Sequence, residues 1–141
     1  RYRSAIALQK TLTSGATNPI TQHVLAEYLE SGAYERHLRG LRRCYGQQVE
    51  AMRLAVARHF PAATRITQPQ AGYVLWVELP DSIDTTRLYD RAIGENVAYV
   101  PGELFSPSGM YRNCLRLNCG NPHTPEIEDA VRRLGAIFCQ P

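Results

Sequence analysis

The chain has 141 residues, of which 44% are hydrophobic and 21% charged, as is ordinary for a folded globular domain. Its formal net charge of +3 is too small to indicate nucleic-acid binding by itself, and no apolar run is long enough to span a membrane. The four cysteines and four histidines lack the spacing of metal ligands, and no signal peptide is visible. We therefore expect a cytoplasmic protein with reduced cysteines, no metal site and no membrane segment.

The first part of the sequence is predicted to be helical. Residues 1–12 have the pattern of a helix end, and a break follows around Gly15. A second helix is expected after Asn18, a good N-cap residue, because Pro19 suits the first helical position. Since the chain starts at Arg1 within a helical pattern, we expect it to be a piece of a longer protein.

A long helix is predicted next. Apolar residues recur at steps of three and four from Tyr34 to Phe60, which predicts one buried stripe on a helix that Pro61 ends. Arg36, Arg39 and Arg43 fall on another face of this helix, as is typical of a solvated surface. The helix is too long to be covered by one small domain, and it is expected to link two.

Beyond the long helix the pattern changes to the alternation of short β-strands. We predict a further helix that Asp84 caps and a last helix that begins at Thr124-Pro125. Strands are predicted over residues 63–67, 72–79, 97–100 and 113–119. This order of elements predicts an α/β fold of the α+β kind, with a small sheet covered by helices and a long linking helix.

The strand at residues 113–119 carries a candidate binding group. Alternation along the strand points Leu115 and Leu117 to one face, and Cys114, Arg116 and Asn118 to the other. A guanidinium directed away from the core can bind a carboxylate through two parallel hydrogen bonds. The spacing by itself leaves an ordinary solvent-exposed arginine open as the alternative.

Three motifs occur in a fixed order along the second half of the chain. They are residues 70–80 (QAGYVLWVELP), residues 97–106 (VAYVPGELFS) and residues 111–120 (YRNCLRLNCG). Together with residues 35–43 (ERHLRGLRR), they resemble the C-terminal third of fold-type I aminotransferases, which depend on pyridoxal phosphate (PLP). The motifs are most similar to the aminotransferase-like domain of MocR-type transcriptional regulators in the GntR family.

The resemblance implies a division of the chain and a set of substrate-binding residues. Residues 1–31 would be the end of the large PLP-binding domain, and residues 32–141 would be the small C-terminal domain. Arg116 matches the arginine that binds the substrate α-carboxylate, and the loop at Pro101-Gly102 matches a segment close to that pocket. Further residues are implied to border the substrate or the neighbouring active site of a homodimer, namely Gly72, Tyr73, Val74 and Asn18.

The same resemblance limits what this chain can do with the cofactor. The family's Schiff-base lysine, its pyridine-nitrogen aspartate and its ring-stacking aromatic residue would all lie upstream of Arg1. Lys10 is the only lysine of the chain and does not lie in the family's lysine motif. We therefore expect PLP to belong to the parent protein, and we expect this chain to be inactive without the missing parts.

Three functions are compatible with the sequence. The first is part of the effector-sensing domain of a transcriptional regulator, which binds an amino-acid-like molecule and contacts DNA through an N-terminal domain outside this sequence. The second is the C-terminal part of a stand-alone aminotransferase that moves an amino group from an amino acid to a 2-oxo acid. The third is a non-catalytic module that only assembles with partners. The detailed motif likeness favours the regulator.

Overall fold

The computed structural model describes residues 2–140. Arg1, the first residue of the predicted domain 1–31, and Pro141, the last residue of the predicted domain 32–141, lie outside the described residues. The chain divides into two compact units, Arg1–Gly40 and Leu41–Pro141. This division falls inside a continuous helix. The predicted boundary between residues 31 and 32 concerns the domains of a parent protein and stays a prediction.

The first unit consists of helices. Helix α1 covers Arg3–Thr13 and helix α2 covers Pro19–Glu30. The first turns of the next helix, α3 (Ala33–His59), complete the unit. Asn18 forms the predicted N-cap, because its Oδ1 accepts hydrogen bonds from the amides of Ile20 at 2.9 Å and Thr21 at 3.4 Å. Neither α1 nor α2 buries a residue, so their apolar side chains lie on the surface.

Helix α3 is the predicted long helix and covers Ala33–His59. Its apolar stripe is buried only in the half that belongs to the second unit, where Val49, Met52 and Val56 enter the core. The amide of Phe60 still bonds to the carbonyl of Val56 at 2.9 Å, and the helix pattern then stops at Pro61.

Four short strands form the sheet of the second unit. Strand β1 covers Arg65–Ile66, β2 covers Val74–Glu78, β3 covers Val100–Pro101 and β4 covers Cys114–Asn118. Their spatial order is β1-β2-β4-β3, and every neighbouring pair is antiparallel. The predicted fold class, a small sheet with helices, is confirmed.

One face of the sheet is buried in a core shared with α3 and with the last helix, α5, which covers Pro125–Cys139. The ring of Phe138 lies at its centre and packs edge-on against Phe60 and Tyr99, with centroids 5.2 and 5.6 Å apart. Other fully buried side chains include Val56, Leu75, Leu79, Val77, Leu115 and Leu134. As predicted, α5 begins at Thr124-Pro125, and the side chain of Thr124 caps it by accepting a hydrogen bond from the amide of Ile127.

The prediction that a helix begins at Asp84 is wrong. Helix α4 covers only Tyr89–Gly94. Asp84 instead accepts hydrogen bonds from the amides of Thr86 and Arg87, which is the pattern of a polar turn, while its second oxygen binds Arg112. The Asp84 side chain, which suits a helix cap, therefore stabilises a turn and a tertiary contact with Arg112. None of the helices that the structure describes is long and apolar enough to cross a membrane.

Gly135 marks the closest approach of α5 to the end of α3. A Cβ atom at this position would lie 2.4 Å from the carbonyl oxygen of His59 and 2.8 Å from its carbonyl carbon. Backbone atoms cannot rotate away as a flexible side chain can, so a larger residue would separate the two helices. By contrast, Gly46 in α3 has no atom within 4 Å of such a Cβ.

We predict opposite effects of alanine at these two helical glycines. Gly135→Ala is expected to lower the free energy of unfolding by about 1–2 kcal/mol, because overpacking outweighs the gain in helix propensity. Gly46→Ala is the matched control and is expected to raise it by about 0.5–1 kcal/mol. Urea unfolding followed by circular dichroism measures both, and equal effects would contradict the close helix contact.

A cluster of charged and imidazole groups joins the start of α5 to the end of α3. Glu128 accepts hydrogen bonds from Nε2 of His123 at 2.8 Å, from Nε2 of His59 at 2.9 Å and from Arg58 at 2.8 Å. These bonds, from His123 above all, lower the pKa of Glu128 from 4.5 to about 2. The carboxylate is therefore ionised in the folded protein at any pH above this range.

This cluster predicts a pH-dependent loss of stability in Glu128→Gln. Because the folded-state pKa is lowered, the carboxylate stabilises the fold fully above pH 4.5, and its contribution disappears as the pH falls toward 2. At pH 7 the variant should therefore unfold at a lower urea concentration than the unmodified protein. The difference between the two urea midpoints should shrink as the pH is lowered. Glu126→Gln is the control, since Glu126 also lies in the first turn of α5 but has no histidine partner among residues 2–140; Thr124 lowers its pKa, so a smaller pH-dependent effect is expected. A difference in urea midpoint that does not change with pH would refute the stabilising role of the ionised Glu128.

Candidate functional site

The face of the sheet opposite the core presents the candidate binding group. Strands β2 and β4 pair so that Trp76 lies opposite Arg116, and Val74 lies opposite Asn118. All four side chains point away from the buried leucines and valines of the same strands, because successive residues alternate between faces. The alternation predicted for β4 is thus present, and Arg116 lies on the exposed face.

The guanidinium of Arg116 is available for a ligand. Among residues 2–140, Arg116 takes part in no ion pair or hydrogen bond through its side chain. Its one side-chain contact of note is with an aromatic ring: Cζ lies 4.9 Å from the centroid of Phe105. Arg112, four residues earlier, is fully engaged by Asp84 and Glu103. The unpaired fork of Arg116 is the arrangement that carboxylate binding needs.

Three aromatic side chains form a cluster that reaches Arg116 through Phe105, and they were not identified from the sequence. The ring of Trp76 packs edge-on against Phe105 and against Tyr111, with both pairs of centroids 5.7 Å apart. Phe105 and Tyr111 remain 45% and 47% exposed, so the cluster forms an open wall and not a second core. Strand alternation could have placed Trp76 beside Arg116, but no sequence signal places the two loop residues there.

The segment between β3 and β4 is held in a defined shape. After Pro101 it forms a 3-10 helix at Gly102–Phe105. A Cβ at Gly102 would lie 2.5 Å from the carbonyl oxygen of Tyr111 and 2.7 Å from Cβ of Cys114, so only glycine fits. Tyr111 adopts a positive φ of 65°, which is uncommon for a tyrosine, and its carbonyl accepts the amide of Cys114. This packing also explains why Cys114 is buried although it shares the face of Arg116.

The structure locates the remaining predicted site residues as follows. Gly72 has a φ of +86°, a conformation that favours glycine, just before β2. Tyr73 is 44% exposed and packs on Tyr45 with centroids 5.1 Å apart, and Val74 is 37% exposed. Asn18 belongs to the other unit, where its side-chain oxygen caps α2. Substrate binding by these residues stays a prediction.

A separate cleft lies elsewhere in the second unit. It has a volume of about 380 Å³ and is lined mainly by apolar groups. Pro101, of the loop predicted to lie close to the substrate pocket, contributes to its walls, but Arg116, Gly72, Tyr73, Val74 and Asn18 do not. Its walls are formed by Thr86, Tyr89, Tyr99, Val100, Pro101, Glu103 and Leu104. Glu103 is already bound to Thr86 and Arg112 there, so the cleft offers little polar chemistry of its own.

Comparison with known proteins gives one consistent result. A family model described as aminotransferase class I and II matches residues 3–134. An HTH-type transcriptional regulator of Escherichia coli, YjiR, is 32% identical over 135 residues, which cover 96% of this chain and 29% of the regulator. A 2-aminoadipate transaminase of Thermus thermophilus is 39% identical over 134 residues, which cover 92% of this chain and 34% of the enzyme.

Solved structures agree with the sequence comparison. The crystal structure of a kynurenine aminotransferase of Pyrococcus horikoshii superposes with a TM-score of 0.85 at 33% sequence identity. The match covers 94% of this chain and 33% of the aminotransferase. The chain thus spans about a third of the length of the relatives that it matches.

The lysine of this chain does not fit covalent attachment of PLP. The Nζ of Lys10 donates hydrogen bonds to Oγ1 of Thr17 at 2.5 Å and to the carbonyl of Gly15 at 3.5 Å. It projects from the last turn of α1, a helix without any buried residue. A reactive lysine needs a desolvated or charged pocket, and this exposed position provides none. No step of the chemistry is therefore assigned to Lys10.

We predict that PLP does not label Lys10 in a saturable manner. The chain is mixed with PLP and treated with borohydride, which fixes any PLP joined to an amine, and the modified residues are mapped by mass spectrometry. Because Lys10 is an ordinary surface amine, the label should rise linearly with PLP concentration and match that of a free lysine peptide. Stoichiometric labelling that saturates at low PLP would contradict this assignment.

Proposed function

Since this chain belongs to the class I and II aminotransferase family, we propose that it is the C-terminal part of a PLP-dependent aminotransferase-like domain in which Arg116 binds the carboxylate of an amino acid. The observation that carries the proposal is the unpaired guanidinium on the exposed face of the sheet. The PLP would be held by parts of a longer protein outside this sequence, and would supply the electron sink for amino-group chemistry.

The chemistry of Arg116 supports carboxylate recognition over a general surface role. A guanidinium presents its donors in a planar fork that matches the two oxygens of a carboxylate. The strand holds the Cα of Arg116 rigidly between two paired neighbours, Trp76 and Val100. Binding at such a fixed position orients the ligand, which is what a downstream reaction or a conformational response requires.

The two small helices at the start of the chain support a longer parent protein. Leu12 and Ile20 are 73% and 72% exposed, and α1 and α2 bury no residue among those that the structure describes. Exposed apolar side chains in this number favour contact with further protein. We propose that residues 1–31 pack on the rest of the large domain, and that the parent protein is a homodimer in which Asn18 lies near the neighbouring active site.

We propose that the parent is a MocR-type regulator of the GntR family, in which an effector binds here and a separate N-terminal domain binds DNA. The similarity to YjiR over 96% of this chain supports this choice, together with the motif at residues 111–120. The second candidate is a stand-alone cytoplasmic aminotransferase, favoured by the 39% identity to the 2-aminoadipate transaminase. Sequencing the gene upstream of Arg1 distinguishes them, since only the regulator encodes a helix-turn-helix domain.

Replacing Arg116 tests the proposed carboxylate site. In the full-length, PLP-loaded protein we titrate L-leucine and L-2-aminoadipate while following the PLP absorbance. Arg116→Ala should weaken binding of both by about 10- to 100-fold, since hydrogen bonds between charged groups are lost. Arg116→Lys should restore only part of the affinity, because an ammonium lacks the planar fork.

The control for this experiment is Arg132→Ala. Arg132 is an exposed arginine on α5 that pairs with Asp129 three residues away, so its loss removes the same charge without touching the sheet face. Its binding curves should match those of the unmodified protein. If both Arg116 variants also bind the two amino acids with unchanged affinity, Arg116 is a surface residue and the proposed site is wrong.

A further inference from the structure

The aromatic ring under Arg116 suggests a role that goes beyond carboxylate binding itself. Resting on the function proposed above, we propose that Phe105 is a positioning residue, whose ring holds the guanidinium of Arg116 in one orientation before the carboxylate arrives. The distance of 4.9 Å from Cζ to the ring centroid lies within the range of a cation–π contact. Phe105 itself offers no donor to a carboxylate and therefore acts through Arg116.

An unpaired arginine needs such a support. Its side chain has several rotatable bonds, and on an exposed sheet face it would sample many orientations and lose that freedom on binding. Arg116 has no acidic neighbour that could fix it among the described residues, in contrast to Arg112, which Asp84 and Glu103 hold. The face of an aromatic ring restrains the guanidinium plane and leaves its edge donors open to the ligand.

The ring of Phe105 is itself held in place. It ends the 3-10 helix, whose first residue, Gly102, is buried against β4. Glu103 anchors the same helix, because its carboxylate accepts hydrogen bonds from Arg112 at 2.7 Å and Thr86 at 2.8 Å. Trp76 then packs edge-on against the ring from the neighbouring strand. The support for Arg116 is thus fastened to the sheet independently of any ligand.

The binding test compares variants that differ only in the ring. Phe105→Leu keeps an apolar side chain of similar size without a π face, whereas Phe105→Tyr keeps the ring. In the full-length protein, Phe105→Leu should bind L-leucine about threefold to tenfold more weakly, and Phe105→Tyr should bind it normally. Both should bind 3-methylbutylamine, which is leucine without its carboxylate, like the unmodified protein. Leu104→Ala is the control, because Leu104 is the neighbouring residue and is 75% exposed. It should leave the affinity for both ligands unchanged.

A chemical measurement reports on the guanidinium without ligand or turnover. Phenylglyoxal reacts with arginine side chains, and peptide mapping by mass spectrometry gives the rate at each position. Phe105→Leu should raise the rate at Arg116 by about threefold, because the ring no longer covers one face, while Arg132 serves as the internal reference. Phe105→Tyr should leave the rate unchanged.

The outcomes separate this inference from the function on which it rests. If Arg116→Ala binds L-leucine normally, the carboxylate site itself is wrong. If Arg116→Ala weakens binding but Phe105→Leu leaves both the affinity and the phenylglyoxal rate unchanged, only the positioning role is wrong. The inference is also overturned if Phe105→Leu weakens the binding of L-leucine and of 3-methylbutylamine equally. The same holds if Phe105→Leu lowers the affinity for L-leucine as much in the Arg116→Ala variant as in the unmodified protein, because the ring would then act independently of Arg116.

Discussion

One-sided burial of the sheet is the constraint on which the rest of the second unit depends. Leu75 and Val77 of β2, and Leu115 and Leu117 of β4, are buried against α3 and α5. Because side chains alternate along a strand, this burial also determines which residues face outward. A register shift of one residue would bury Arg116 and expose the leucines, at a cost that no local contact could offset. The candidate site is therefore fixed by the core.

The outward face acquires its chemistry from the connection between β3 and β4. Without the 3-10 helix, Arg116 and Trp76 would be isolated side chains on an exposed face of the sheet. The close contact at Gly102 and the bonds between Arg112, Asp84 and Glu103 bring Phe105 over the strand. Asp84 and Glu103 both pair with Arg112, whereas Arg116 has no ion-pair partner among residues 2–140. The network thus helps to position the ring on which the guanidinium of Arg116 rests.

Sequence patterns predicted the regular elements well, because periodicity reflects burial directly. The stripe from Tyr34 to Phe60 gave the long helix, and the alternation around Arg116 gave the face on which it lies. The prediction failed at Asp84, whose carboxylate binds a short turn and Arg112 instead of starting a helix. Phe105 was missed for a related reason, since its position depends on the fit of Gly102 against β4. Both depend on tertiary contacts between distant residues, which no local pattern encodes.

The proposed role of Arg116 implies a division of labour between this chain and the rest of a parent protein. The described residues provide a rigid sheet with an oriented cation, whereas the single lysine is a surface amine on a helix that buries nothing. If Arg116 binds carboxylates as proposed, the second unit fixes only the end of the ligand that stays unchanged in amino-group chemistry. Sensing and catalysis both need that end to be held, whatever happens at the amine. The proposed binding role is therefore compatible with relatives as different as a transcriptional regulator and a transaminase.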